Sequence, residues 1–213
     1  MTNAGGEVLV LDDDSAVRAA MRRLLRSAGH EVRTFSEPDE VLAGPRPERA
    51  CCLLLDLHMP QTGGLEVQES LARAGVDMPI VFLTGHGDIP QSVRAMKAGA
   101  VDFLTKPVSA DALLDAIRRA LQQDKERMAT RRRADELRRR YSALTPRERE
   151  VFAAVTSGKP NKNVAADLGV AEKTIKVHRA RVMEKMQVES FADLVRAAES
   201  LGLHGPRAVS LLQ

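Results

Sequence analysis

The stretch Cys51-Cys-Leu-Leu-Leu-Asp56-Leu-His-Met-Pro60 decides how the first half of this chain is read. Five apolar residues without alternation stop at an aspartate, and a Pro and the pair Gly63-Gly64 follow soon after. An unbroken apolar run of strand length is the signature of a parallel strand covered on both faces. The pattern recurs on either side. Glu7 to Leu11 stops at Asp12-Asp13-Asp14, Pro79 to Leu83 stops at Thr84, Val101 to Leu104 ends just before Lys106-Pro107, and Val32 to Phe35 forms a weaker strand. Between them the apolar spacing is helical. Ser15 to Ala28 places Val17, Met21, Leu24, Leu25 and Ala28 on one face and closes at Gly29, and further helices are expected at about 39–43, 64–73, 89–97 and from Ser109. Five such units give a doubly wound α/β domain with a five-stranded parallel sheet.

The polar residues at the strand ends carry the chemistry. Asp12, Asp13, Asp56, Thr84 and Lys106 all fall just past the carboxyl ends of expected strands, where open α/β sheets bind ligands. Taken singly each has an ordinary reading: Asp14 or Ser15 caps a helix, Asp56 begins a turn, Lys106 is a solvated loop lysine. Five at five strand ends make one site. Three carboxylates brought together repel one another, and a hard divalent cation such as Mg²⁺ relieves that repulsion. A carboxylate in such a site attacks phosphorus to give an acyl phosphate, with Lys106 and the Thr84 hydroxyl placed to bond the phosphoryl oxygens.

Composition narrows the alternatives. The 213 residues are 44% hydrophobic, 29% charged and 3% aromatic, with a formal net charge of +3. That describes a globular protein, and the shortage of rings and absence of Trp argue against a carbohydrate binder or a single-strand binder built on stacked aromatics. The opening residues show no basic region followed by an apolar core, so no secretory leader is expected. No apolar run approaches the ~20 residues of a membrane span, and two adjacent cysteines form neither a disulfide framework nor a zinc spacing. A cytoplasmic protein with no membrane partner is expected. The net charge is an average: residues 1–123 carry −4, residues 124–140 carry +4 and residues 141–213 carry +3. An acidic first half and a basic second half indicate two domains with different partners.

From Ser109 to about Tyr141 the chain lacks Gly and Pro and is rich in helix formers. If helical throughout it spans ~50 Å. Leu114, Ile117, Leu121 and Met128 partly match a heptad that Asp124, Arg131 and Asp135 break, so a coiled coil and a charged flexible tether both stand. Arg131 to Arg133 and Arg138 to Arg140 suit either non-specific phosphate contact or a solvated helix face.

Leu144-Thr-Pro-Arg-Glu148 opens the last region with a capping pattern: Thr145 as N-cap, Pro146 at the first helical position and Glu148 three residues on. Gly158 and Pro160 end that helix, Asn161 to Leu168 forms a short second one that stops at Gly169, and a third runs from about Ala171 to Met186. Its inward face is expected to be Ile175, His178, Val182 and Met186, and its opposite side offers Lys173, Thr174, Lys176, Val177, Arg179 and Arg181. Phe191 to Leu201 closes the bundle. Two short helices about a glycine turn, the second basic on one side, fit a helix-turn-helix. A small four-helix packing module with a basic solvated face has the same propensities.

Residues 7–121 resemble the receiver domain of two-component response regulators. The resemblance rests on Asp12-Asp13, on Asp56-Leu-His-Met-Pro60 with Gly63-Gly64, on Thr84-Gly-His-Gly and on Asp102-Phe-Leu-Thr-Lys106-Pro107. Leu144-Thr-Pro-Arg-Glu-Arg-Glu, Asn161-Lys-Asn-Val-Ala and Lys173-Thr-Ile-Lys-Val-His-Arg resemble the LuxR-type DNA-binding domain. The order of the two matches the FixJ/NarL class, and Gly85-His-Gly-Asp88 with Ala100-Val-Asp-Phe leans toward FixJ. The resemblance implies a flavodoxin-like receiver over 1–122, a helical linker over 123–142 continuing the last receiver helix, and an all-α four-helix helix-turn-helix domain over 143–213. It implies that Asp56 accepts a phosphoryl group from a cognate histidine kinase. Asp12, Asp13, Asp56 and the His58 carbonyl are the implied Mg²⁺ ligands, Asp12 acting through water. Thr84 and Phe103 are the implied switch pair, and the Lys106-Pro107 bond is cis. Lys176 and Val177 are the implied base contacts, with Thr174 and Arg179 as phosphate contacts, while Ala180 departs from family members that carry a basic residue there. The implied output is a homodimer, formed on phosphorylation, that binds double-stranded promoter DNA and is not an enzyme. A Mg²⁺ phosphohydrolase with an aspartyl nucleophile typically carries a second acid two residues on, where this chain has His58. A phospho-relay protein without DNA output is the other alternative.

Overall fold

The runs Glu7–Leu11, Cys51–Asp56 and Ile80–Thr84 form strands in which neither face meets water, while the two outer runs are partly exposed. In a computed structural model that describes residues 6–60, 62–85 and 89–203, β1 (Glu7–Leu11), β2 (Glu31–Phe35), β3 (Cys51–Asp56), β4 (Ile80–Thr84) and β5 (Asp102–Thr105) make one sheet. Its order is β2-β1-β3-β4-β5, and every neighbouring pair is parallel. Side chains alternate between the two faces. Leu9, Leu11, Leu53, Leu55, Ile80 and Phe82 join Val67 and Leu71 of α3 (Gly64–Arg73) and Ala95 of α4 (Ile89–Lys97) in one core layer. Val8, Val10, Cys52, Leu54, Val81 and Leu83 face the other way, with Leu25 of α1 (Ser15–Ser27) and Leu113 and Ile117 of α5 (Ala110–Ser142). The short α2 (Pro38–Ala43) packs Val41 into the first layer. Asp14 caps α1 by accepting from Ala16 and Val17, and Gly29 follows with φ +87°. Burial raises the Cys52 thiol well above its ordinary pKa and pushes Cys51 up to about 12, so both cysteines are core residues rather than reactive thiols.

Register places the polar residues. Leu11 pairs with Leu55, Asp56 with Leu83 and Thr84 with Thr105. The residues that follow β1 and β5, and those that end β3 and β4, therefore share one edge of the sheet. In this strand order the chain reverses between β1 and β3, the crevice in which doubly wound sheets hold ligands.

The chain divides into two compact units, residues 1–128 and 129–213. The first includes Asp124, which is fully buried, and Arg127, which pairs with Asp77. Asp124 thus faces the sheet rather than interrupting an exposed heptad. α5 is one uninterrupted helix through Ser142. Within the second unit its final residues Leu137 and Tyr141 pack on the core, and Arg140 donates to the Met186 carbonyl at 3.3 Å.

The second unit comprises that end of α5, α6 (Pro146–Thr156), α7 (Asn161–Asp167), α8 (Glu172–Met186) and α9 (Phe191–Ser200). Their shared core includes Leu144, Val151, Phe152, Val155, Val164, Ile175, Val182, Met186 and Leu194. The capping pattern at Thr145 forms in full: its hydroxyl accepts from Glu148 N–H, and the Glu148 carboxylate accepts from Thr145 N–H. Gly169, at φ +65°, makes the turn between α7 and α8 in a conformation that other residues adopt at a cost. Among the described residues no helix is long and apolar enough to cross a membrane.

Candidate functional site

The sheet edge brings Asp12, Asp13 and Asp56 together, with one oxygen of each carboxylate within 4.8 Å of the others. Asp12 and Asp56 are buried while Asp13 is exposed, so the cluster opens to solvent on one side. Lys106 reaches over it, its Nζ 2.9 Å from Asp12 Oδ2 and 3.1 Å from Asp56 Oδ1, and the Lys106-Pro107 bond is cis. Burial pushes the Asp56 carboxyl above its ordinary pKa. The Lys106 contact opposes this, and repulsion from Asp12 and Asp13 adds to it. Burial works against the Lys106 charge too, yet the bonds to Asp12 and Asp56 outweigh it and hold that ammonium above its usual range.

Hard carboxylate oxygens in a partly open cluster are the donor set a small divalent cation takes, so the residues present fit such an ion. Thr84 is completely buried at the end of β4, with its Oγ1 3.3 Å from His58 Nδ1. Phe103 on β5 is half-buried and tilts against Phe82 at 6.2 Å between ring centres. Residues 86–88 of the Gly85-His-Gly-Asp88 motif lie outside the described residues.

Three supports of the site have roles that the sequence does not assign. Arg18 donates from Nη1 to the carbonyls of both Asp12 and Asp13 at 2.8 Å, holding the acidic loop from the first turns of α1. His58 engages Thr84 through its ring, where sequence reading assigned only its carbonyl. Gly64 opens α3 so close to β3 that a Cβ there would lie 2.5 Å from the Asp56 carbonyl oxygen and 3.0 Å from the Phe82 ring. The pair Gly63-Gly64 was the visible signal for the last. Arg18 has none beyond its place on the polar side of a helix.

In the second unit Lys173, Lys176, Val177 and Arg181 are exposed on α8, away from the buried Ile175, Val182 and Met186. Val177 leaves 45% of its surface open, unusual for a branched apolar side chain with charged neighbours. Thr174 and Arg179 are half-buried. Arg179 follows the core residue Ile175 by four positions and so leans toward the packed side, where its guanidinium lies 4.6 Å above the Phe191 ring at the start of α9. Lys176 also contacts Glu172 at 3.4 Å. His178 is half-buried, and its Nδ1 is enclosed without a hydrogen-bond partner among the described residues.

A doubly wound domain with an acidic crevice crossed by a lysine, followed in the chain by a helix-turn-helix with an exposed basic helix, defines the class of DNA-binding transcriptional regulators of two-component systems. Comparison with known proteins agrees with that class. Residues 8–118 match the response regulator receiver domain family, and residues 142–198 match the bacterial regulatory proteins of the luxR family. The chain belongs to the response regulators of the FixJ/NarL class. It is 45% identical over 196 residues to Nodulation protein W of Bradyrhizobium diazoefficiens, covering 92% of this chain and 86% of that one. It is 39% identical over 199 residues to the transcriptional regulatory protein FixJ of Rhizobium meliloti, covering 93% and 97% of the two chains. The solved structure of the response regulator StyR aligns with a TM-score of 0.81 at 49% identity, covering 92% of this chain and 99% of that one.

Proposed function

We propose that Asp56 is the phosphoacceptor, that Asp12, Asp13 and Asp56 with the His58 carbonyl hold Mg²⁺, and that labelling of Asp56 promotes a homodimer that binds promoter DNA. The observation that carries this reading is the convergence of three carboxylates within 4.8 Å under one lysine. An Asp56 carboxylate oxygen attacks the phosphorus of a phosphohistidine on the partner kinase. The P–O bond forms as the P–N bond breaks, and the imidazole leaves neutral because its other nitrogen already carries a proton. Mg²⁺ bound there offsets the charge of the carboxylates and of the phosphoryl oxygens. Lys106 has only to shift its bond from the Asp56 oxygen to a phosphoryl oxygen, and its raised pKa keeps it cationic throughout.

The buried Thr84 hydroxyl and the half-buried Phe103 ring form the switch: the hydroxyl turns toward the phosphoryl group and the ring moves into the space this leaves. Ile89, Val93 and Met96 form an exposed apolar stripe on α4, and that stripe, with β5 and the receiver part of α5, is the face that pairs two receivers. Lys176 and Val177 reach base edges, Val177 through apolar contact with a thymine methyl. Lys173, Thr174, Arg179 and Arg181 contact phosphates. The output is DNA binding in the cytoplasm rather than turnover of small phosphoesters.

Acetyl phosphate with Mg²⁺ labels the wild-type chain, and Asp56→Asn removes the label entirely; persistent labelling of that variant would overturn the assignment. Lys176→Ala weakens binding to duplex DNA and reduces the salt slope by about 1 if the residue also neutralises a phosphate. An unchanged affinity and slope would move the interface off α8.

A further inference from the structure

The last turn of α5 that belongs to the first unit carries a charged side chain with no exposure at all, Asp124. A carboxylate is held in such a place only when its oxygens are bonded, and these are. Oδ2 accepts from the Cys51 backbone N–H at 2.8 Å, and Oδ1 pairs with the Arg46 guanidinium. The other arm of Arg46 donates to the Asp77 carbonyl at 2.5 Å. One turn further along α5, Arg127 pairs with the Asp77 carboxylate, also at 2.5 Å. These contacts tie α5 to the chain entering β3 and to the chain entering β4.

The position of this cluster matters more than its strength. Cys51 is the first residue of β3 and Asp56 the last, so one strand joins the acidic site to the root of the helix that leads into the second unit. Apolar contacts between helix and sheet are non-directional and tolerate small slides and rotations. A carboxylate that accepts one particular strand N–H on one oxygen, and on the other takes one arm of a guanidinium whose second arm is held by a backbone carbonyl, has a narrow range of rotation and axial position in which these charge-assisted bonds survive. The unit boundary follows directly, between Met128 and Ala129.

We infer that Asp124 and Arg46 are positioning residues that lock the register of α5 to β3, so that a change at Asp56 reaches the second unit as a defined movement of the helix. This rests on the reading of Asp56 as the phosphoacceptor. The test uses the full chain and a duplex selected from a randomised library by the acetyl-phosphate-treated wild type. Asp124→Asn keeps the shape and an oxygen for Cys51 N–H but loses the charge, and Arg46→Gln removes the fork from a partly exposed position. In both variants labelling of Asp56 and the affinity of the unlabelled chain for the duplex stay within twofold of wild type, while the gain in affinity on labelling falls at least fivefold.

A purely structural role lowers the melting temperature and leaves that gain intact; this result in both variants overturns the inference. Should Asp124→Asn fail to fold, Arg46→Gln alone decides it. A wild-type chain that takes no label overturns the phosphoacceptor reading together with the lock, and one that takes the label without any gain in affinity leaves the phosphoacceptor reading standing and overturns the coupling and the lock. A responsive wild type with equally responsive variants overturns the lock alone.

Discussion

Asp56 with Lys106 in the first unit and Glu148 with Lys185 in the second are chemically the same pair, a buried carboxylate facing an ammonium group. Their environments differ. Asp56 has two further carboxylates beside it and a lysine shared with Asp12, and burial raises its pKa. Glu148 takes the Lys185 ammonium at 2.7 Å and the Thr145 N–H at 2.8 Å, both on Oε2. Those bonds, led by Lys185, hold it down at about 2. The second carboxylate faces a lysine and a backbone N–H, and it serves the fold. The first is left with more negative charge than its lysine balances, which makes it ready for a cation and an electrophile.

The largest expected effect tests how tightly the reactive pair is framed. Gly64→Ala places a methyl against the Asp56 carbonyl oxygen and the Phe82 ring. Backbone must move to admit it, which costs about 2–3 kcal/mol and displaces Asp56, so chemical denaturation of the first unit and acetyl phosphate labelling fall together. In the second unit Gly169→Ala meets no atom within 4 Å and suffers only from φ +65°, a cost of about 1 kcal/mol. Equal losses at the two glycines would show that the frame around Asp56 is looser than its packing.

Next comes the satisfied pair. Glu148→Ala strands Lys185 and the Thr145 N–H, and loss of the reciprocal cap and a charged bond costs about 2 kcal/mol. The second unit melts earlier and the first is unmoved. The same residue sets a pH limb. Its folded pKa, about 2, lies below the ordinary 4.5. Its contribution is therefore complete above pH 4.5 and is lost as pH falls from there toward 2. Glu148→Gln flattens that limb in acid denaturation followed on the helical signal of the second unit. A limb that survives the substitution belongs to another carboxylate.

Both pairs were partly legible in the sequence, for different reasons. Thr145, Pro146 and Glu148 are a contiguous signal, because a helix start is built from neighbours. Asp12, Asp13, Asp56, Thr84 and Lys106 are far apart in sequence but each ends an apolar run, so the sheet converts a repeated local pattern into one site. Arg18, Asp124 and Lys185 were missed because nothing local separates a charged residue that reaches a buried partner from one that faces water. In sequence Asp124 reads as a break in a heptad, whereas its oxygens are held by the first residue of β3 and by Arg46 in the chain that leads into it. Arg179 shows the converse: it reads as one more cation of a basic helix, and only the fold reveals the Phe191 ring it rests on.

The smallest effect is the one that most directly separates the pairs, because it has the opposite sign. Removing a charge from a satisfied pair destabilises. Removing one from three crowded carboxylates relieves repulsion, and burial no longer opposes an ionised group. Asp56→Asn keeps the shape of the side chain and leaves Lys106 bonded to Asp12 at 2.9 Å. In the presence of a chelator the melting temperature of the first unit is expected to rise, modestly, over wild type. Added Mg²⁺ then stabilises the wild type more than the variant, since the cation is attracted by the same excess charge that Asn removes. A fall in melting temperature, or equal stabilisation by Mg²⁺ in both proteins, would mean that Lys106 already balances the cluster and that Asp56 is held as quietly as Glu148.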